Sequence, residues 1–238
     1  MSGRRRFFVD GITSSEVILD GEEFAHAAVQ RVEEGTEITL LDGSGKEYTA
    51  IVTKVNKKSV TAHIIGEELG EREPKTEIYL LCGALKGDKT ELIVQKATEL
   101  GASRIGVFSS EYCAAFMNAN KLERLQRVSR EAAKQCMRSR APKVEYFDNF
   151  KSALNSAEEY TNKLFACEFA TKSEADIMQI KGSTALVVGS EGGFSEEEFE
   201  LSKQLGFSAI TLGKRILRAE TAAISLTSLV AYALGELK

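Results

Sequence analysis

The chain has 238 residues, 43% hydrophobic and 28% charged, with a formal net charge of −4. That is apolar material for one large domain or two small ones, and the acidic balance excludes a protein that holds nucleic acid through its overall charge, because affinity for phosphate comes from clustered lysine and arginine. No run reaches the ~18 consecutive apolar residues of a membrane span, and the basic start "MSGRRRFFVDGITSSEVIL" lacks the apolar core of a signal peptide, so a soluble cytoplasmic protein is expected.

In the first part of the chain, "DGEEFAHAAVQRV" (Asp20 to Val32) reads as a helix with Asp20 as its cap. "TEITLLDGSGKEYTAIVTKVNKKSVTAHIIGEE" then alternates β-branched and polar residues around the turn signal "DGSG", which predicts a small antiparallel barrel or sandwich. The polar "GEREPK" (Gly70 to Lys75) carries one of the chain's two prolines and reads as a linker, so we expect domains at 1–72 and 73–238.

Beyond the linker the texture changes. "EIYLLCGAL", "RIGVFSS", "KVEYF", "KLFACEF", "ALVVGS" and "SAITLG" read as strands, separated by helical patterns such as "DKTELIVQKATELG" and "SEEEFELSKQLG". This alternation predicts an α/β domain with a mostly parallel sheet covered by helices, with ligands beyond the carboxyl ends of its strands. Cys82, Cys113, Cys136 and Cys167 lie far apart, so reduced, mostly buried thiols are expected, and no His/Cys cluster has metal-ligand spacing.

"KLERLQRVSREAAKQCMRSRAPK" (Lys121 to Lys143) holds eight basic and two acidic residues. At about 100° per residue, Arg124, Arg127, Arg130, Lys134 and Arg138 share one face, while Leu122, Leu125, Val128, Ala132 and Cys136 share another. The basic stripe is either a solvated helix face or a phosphate-binding surface.

Two turns follow strands and open helices. In "LVVGSEGGFSEEEF" (Leu186 to Phe199), Ser195 and Glu198 form an S-x-x-E capping box. The G-x-x-G-G spacing fits no phosphate cradle, and Glu191 would set a carboxylate among phosphate oxygens; the turn suits a neutral or cationic ligand. "TLGKRILRAETA" (Thr211 to Ala222) sets Lys214, Arg215 and Arg218 at a helix N-terminus, where the macrodipole disfavours cations. The last helix, "RAETAAISLTSLVAYALGEL", is apolar around most of its circumference through Ile224, Leu226, Leu229, Val230 and Leu234. It is expected to be buried against more than one neighbour, with Leu226 and Val230 on its outer side.

"GSEGGFSEEE" and "LGKRILRAETA", with "LKGDKTELIVQKATELG" and "REAAKQC" upstream, resemble the SPOUT, or α/β-knot, methyltransferases, and within them the bacterial 16S ribosomal RNA uracil-N3 methyltransferase family. "RRRFFV" and His26-x-x-Val29-x-Arg31 resemble that family's PUA-like N-terminal RNA-binding domain more loosely. The resemblance implies a trefoil-knotted C-terminal domain, a small N-terminal β-barrel, a homodimer, and S-adenosylmethionine as cofactor without a metal. It implies cofactor binding by Cys167, Glu168, Gly189, Ser190, Glu191, Gly192, Gly193, Leu212, Gly213, Ile216, Leu217 and Ala222. Arg218 is expected to stabilise the uracilate oxygens and Glu191 to orient the base or help remove its proton. RNA is expected on Arg4, Arg5, Arg6 and Arg31 and on the stripe Arg124, Arg127, Arg130, Lys134 and Arg138. Two positions depart from the family pattern: Ser190 stands where the family has proline, and "EYCAAF" where an arginine is common. The rival expectations are another SPOUT RNA specificity and a non-catalytic ribosome-assembly factor that only binds RNA.

Overall fold

Residues 5–168 and 172–237 are described by the structure, a computed structural model. Arg4 lies outside them. Contacts divide the chain into two units: residues up to Glu73 with Ala133–Ala141, and Pro74–Ala132 with the segment from Pro142 onward.

The alternating residues of the first unit form β1 (Arg5–Phe8), β2 (Glu16–Leu19), β3 (Glu37–Leu41), β4 (Lys46–Val55) and β5 (Val60–Leu69), in the sheet order β1-β3-β4-β5-β2. Three pairings are antiparallel, but β1 runs parallel to β3, so the antiparallel barrel expected from the sequence is a mixed half-barrel. A parallel pair needs a long connection, and β2 with helix α1 (Gly21–Val29) supplies it. Register shifts at Thr49/Ala50 and Val52/Lys54 bend β4. Phe7, Leu40, Ala50 and Ala62 are fully buried beneath it.

Polar burial in this unit corrects part of the expected RNA surface. Arg6 donates to both Glu47 carboxylate oxygens at 2.7 and 2.8 Å and to the Arg138 carbonyl at 3.1 Å. Lys134 pairs with Glu23 at 3.1 Å and Arg138 with Glu73 at 3.0 Å. These three basic side chains are only 4–6% exposed. A buried cation is tolerated only when paired, so Arg6, Lys134 and Arg138 hold the unit together and are withdrawn from phosphate. Glu73 does more, because its Oε1 also accepts the backbone N–H groups of Ser139 and Arg140, each at 2.8 Å.

The second unit contains β6 (Ile78–Gly83), α2 (Lys89–Glu99), β7 (Arg104–Phe108), α3 (Ala119–Gln135, whose last residues count with the first unit), β8 (Lys143–Phe147), α4 (Phe150–Asn155), β9 (Asn162–Ala166), β10 (Thr184–Val188), α5 (Glu196–Gln204), β11 (Ser208–Ile210) and α6 (Ala219–Ala233). All its strands are parallel, in the order β11-β9-β10-β6-β7-β8. Central strands buried on both faces read as continuous apolar runs, and every residue of β6 and β10 is buried. One face of the sheet packs Leu80, Leu186 and Val188 with Ile93 of α2 and Leu226 of α6. The other packs Leu81, Val187 and Phe165 with Phe150 and Phe194. After β11 the chain turns back, and α6 lies on β10, β6, α2 and the 3₁₀ turn Ile177–Gln179 between β9 and β10.

Two expectations change. Leu226 and Val230 are fully buried inside this unit, and the outward apolar residues of α6 are Leu229 and Tyr232. None of the four cysteines forms a disulfide, but only Cys82 is buried, with its thiol pushed up to about 12 by desolvation; Cys113, Cys136 and Cys167 are half-buried. Among the described residues no helix is long and apolar enough to cross a membrane.

Removing Glu73 leaves a buried guanidinium without its carboxylate. Glu73→Ala is expected to cost about 3–5 kcal/mol, read as a lower urea midpoint; an unchanged midpoint would show that the Arg138 pair contributes nothing net.

Candidate functional site

Three loops leave the same end of the sheet because their strands are parallel neighbours. Val188 of β10 is in register with Ala166 of β9 and Cys82 of β6, and Ala166 with Ile210 of β11. Cys167–Glu168, Gly189–Gly193 and the loop leading to Leu212–Leu217 therefore start level with one another. The structure brings these predicted groups together. Cys167 N–H donates to Ile210 O at 3.4 Å, and the Glu168 carboxylate lies where a Cβ on Gly193 would collide with it.

The glycine turn is held from several sides. Gly193 has φ +70° and donates to Ser190 O at 3.1 Å. A Cβ on Gly192 would lie 2.6 Å from the Tyr112 carbonyl oxygen, and one on Gly83 would lie 2.5 Å from Ser190 N. Both glycines are needed for close approach. The Ser190 hydroxyl, 6% exposed as a residue, accepts from Gly192 N–H at 3.4 Å and faces Tyr112 O at 3.5 Å. The capping box forms as read from the sequence: Ser195 Oγ accepts from Glu198 N–H, and Glu198 Oε2 from Ser195 N–H. Glu198 Oε1 accepts a further bond from Glu111 N–H at 2.9 Å, which ties the helix start to the segment carrying Tyr112.

Sequence reasoning missed this clamp. Tyr112 and Glu111 lie in a segment marked only as a departure from a family pattern, and nothing in the S-x-x-E spacing reveals a third bond. It also missed Lys89. Glu191 pairs with Lys89 Nζ at 3.0 Å and accepts from Lys86 N–H at 3.3 Å. Desolvation raises the Glu191 pKa, but the Lys89 hydrogen bond and the backbone donors outweigh it and hold the carboxyl below the ordinary glutamate value. A carboxylate so stabilised is a weak base, so the geometry favours positioning over proton removal.

The Leu212–Leu217 loop is anchored at its start. Thr211 N–H donates to Ser173 Oγ at 3.1 Å, and Glu174 accepts from Ala209 N–H at 2.7 Å. Leu212 and Ala222 pack on the core. Gly213 has φ +106° with open space where a Cβ would point. Ile216 is 97% exposed, so its side chain is not packed within this chain. Arg218 caps α6 in extended conformation, with its side chain exposed. In the first turn of α6, Glu220 Oε2 is buried with no hydrogen-bond partner among the described residues, as is Ser110 Oγ at the end of β7. Arg5 is half-exposed, and Arg31, Arg124, Arg127 and Arg130 are exposed.

Comparison with known proteins gives a family model for an RNA methyltransferase domain over residues 71–231 and one for an RNA methyltransferase PUA domain over residues 19–65. The chain is 33% identical to the ribosomal RNA small subunit methyltransferase E of Mesomycoplasma hyopneumoniae, over 93% of this chain and 96% of that one. It is 32% identical to the Bacillus subtilis protein of the same name, over 96% of each. Among solved structures it is similar to ribosomal RNA small subunit methyltransferase E from Neisseria gonorrhoeae bound to S-adenosyl methionine, with TM-score 0.87, 31% identity, and 97% of this chain and 98% of that chain covered.

The Lys89–Glu191 pair has a signature in titration. The folded pKa of Glu191 is depressed, so the pair's stabilisation is present above the ordinary glutamate range and is lost as pH falls through the depressed value. Lys89→Met is expected to move the Glu191 carboxyl resonance midpoint upward in an NMR titration; a midpoint that stays put would show that the backbone donors alone hold it.

Proposed function

The chain belongs to the ribosomal RNA small subunit methyltransferase E family of RNA methyltransferases, and from that premise we propose that it transfers the methyl group of S-adenosylmethionine to N3 of a uridine in 16S ribosomal RNA. The observation that carries the reading is the cluster of three loops, Cys167–Glu168, Gly189–Gly193 and Leu212–Leu217, opening at the carboxyl ends of adjacent parallel strands. The residues fit the cofactor. Glycines that admit no Cβ keep the turn backbone open to close approach, and the orphaned Glu220 carboxylate oxygen suits a cationic ligand. When bound, S-adenosylmethionine supplies an electrophilic methyl group on a sulfonium.

The rest is work for the chain's own residues: positioning and electrostatics. N3 of uracil must lose a proton, and charge then develops on the flanking carbonyl oxygens. Arg218, exposed at the α6 N-cap and always cationic, is the residue we assign to those oxygens. Glu191, ionised and braced by Lys89, orients the turn that faces the base. Neither of the chain's two histidines, His26 and His63, lies in the catalytic unit.

We read the first unit as the PUA-like RNA-binding module, with the domain junction at Glu73/Pro74. RNA meets the basic groups that stay at the surface: Arg5 and Arg31, and Arg124, Arg127 and Arg130 of α3. Arg31 holds φ +52°, a region that favours glycine. Keeping an arginine there costs about 1–3 kcal/mol, which supports a role in binding. A homodimer completes the reading. Ile216, Leu229 and Tyr232 are 97%, 41% and 53% exposed, and a second copy against the cofactor loop and α6 would cover them.

Two outcomes test this. Arg218→Ala is expected to lower kcat by about 10²–10³ in mass-spectrometric detection of N3-methyluridine, with S-adenosylmethionine affinity unchanged by calorimetry; near-normal turnover removes Arg218 from the mechanism. Leu229→Glu with Tyr232→Glu should give monomers by light scattering, and an unaltered chain that is already monomeric at micromolar concentration ends the dimer assignment.

A further inference from the structure

The loop cluster does not account for a groove of about 320 Å³ formed where the β6–α2 connection and the first turn of α2, Leu85 to Glu91, face the segment Ala114 to Leu125. Its floor is apolar and buried: Leu85, Met117 and Leu125. Its rim is cationic. Lys86, Lys121 and Arg124 line it against a single acid, Glu91, to which Arg124 is paired at 2.9 Å. Arg124 remains 62% exposed despite that pair. On the same rim Phe116 turns its ring to solvent, 74% exposed. Lys121 Nζ donates to the Phe116 backbone carbonyl at 2.7 Å, which ties this cation to the segment that carries the ring.

We infer that this groove seats a nucleotide flanking the target uridine, its base stacked on Phe116 and its phosphates met by Lys86, Lys121 and Arg124. The inference rests on the proposed RNA methyltransferase activity and adds to it a second point of contact.

Two observations favour RNA over an acidic peptide. A solvent-facing aromatic ring amid cations is the combination that holds single-stranded nucleic acid, where stacking accepts any base and cations track the backbone. The groove is also wired to the glycine turn. Lys86 belongs to its rim, and its N–H donates to Glu191 at 3.3 Å, while Lys89 in the first turn of α2 pairs with that carboxylate. A strand leaving the loop cluster therefore meets the groove next. Within an acidic chain this local excess of three cations over one acid concentrates attraction at a single place.

The test uses the full chain and a 16S RNA fragment substituted with thiouridine. Irradiation is expected to crosslink a nucleotide to the peptide carrying Phe116. Phe116→Ala, and separately Lys121→Glu with Arg124→Glu, should each raise the RNA dissociation constant about tenfold or more. Phe116→Tyr should preserve affinity, and S-adenosylmethionine affinity should stay unchanged by calorimetry in all of them. Unaltered RNA affinity in both Phe116→Ala and the charge-reversed variant overturns the groove. So does Phe116→Leu binding as tightly as Phe116→Tyr, because an aliphatic side chain cannot stack. If charge reversal abolishes binding of poly-glutamate but not of RNA, the groove is a protein-docking site and the inference fails. The two readings fail separately: a crosslink at Phe116 without N3 methylation sinks the proposed reaction and keeps the groove, and full N3 methylation with normal KM in Phe116→Ala does the reverse.

Discussion

β10 lies fully buried between β9 and β6, and the placement of every group at the candidate site follows from that. Parallel pairing sets Val188 level with Ala166 and Cys82, and Ala166 level with Ile210. Residues separated by dozens of positions in sequence then begin their loops in one row. The apolar run of β10, buried on both faces, is what makes the central position the favourable one.

Rigidity in the glycine turn comes from outside it. A proline would stiffen the backbone by its ring; here Ser190 offers a hydroxyl that accepts from Gly192 N–H and faces the Tyr112 carbonyl, so the neighbouring segment takes over the restraint. Glu198 joins the same system by serving the capping box with one oxygen and Glu111 with the other. Hydrogen bonds to a carboxylate are among the stronger ones. The turn, the start of α5 and the Tyr112 segment consequently form one braced body, with Lys89 and Lys86 securing Glu191 on its far side.

Charge in this chain is sorted by depth. Arg6, Lys134 and Arg138 are spent on Glu47, Glu23 and Glu73 in the interior of the first unit, where a cation without a partner would be untenable. Arg124, Arg127 and Arg130, one to three turns earlier in α3, stay at the surface. The stripe that helical geometry draws through all five is therefore divided: α3 ends at Gln135, so Arg138 lies beyond it, and burial separates Lys134 and Arg138 from the exposed Arg124, Arg127 and Arg130.

The sequence alone determined most of the elements and their order, though not β1, β2 or α4. Period-two alternation marked β3 to β5, apolar runs marked the parallel sheet, and S-x-x-E marked the start of α5; these signals are local and survive without tertiary contacts. It also placed the glycine turn and the "LGKRILRAETA" loop at strand ends, since a glycine cluster between an apolar run and a cap has few other readings. What it could not determine was which side of a residue faces inward and who its partner is. Leu226 and Val230 point into the core and Leu229 and Tyr232 outward, a choice set by where α6 lies on β6 and β10, and helix periodicity on an all-round apolar helix cannot make it. The parallel β1–β3 pair, the Glu73 and Glu198 clamps and the Lys89–Glu191 pair join residues 33 to 102 positions apart. Only the folded chain brings such carboxylates and their donors within hydrogen-bonding distance, and only there does burial decide which charges must be neutralised and which stay exposed to solvent.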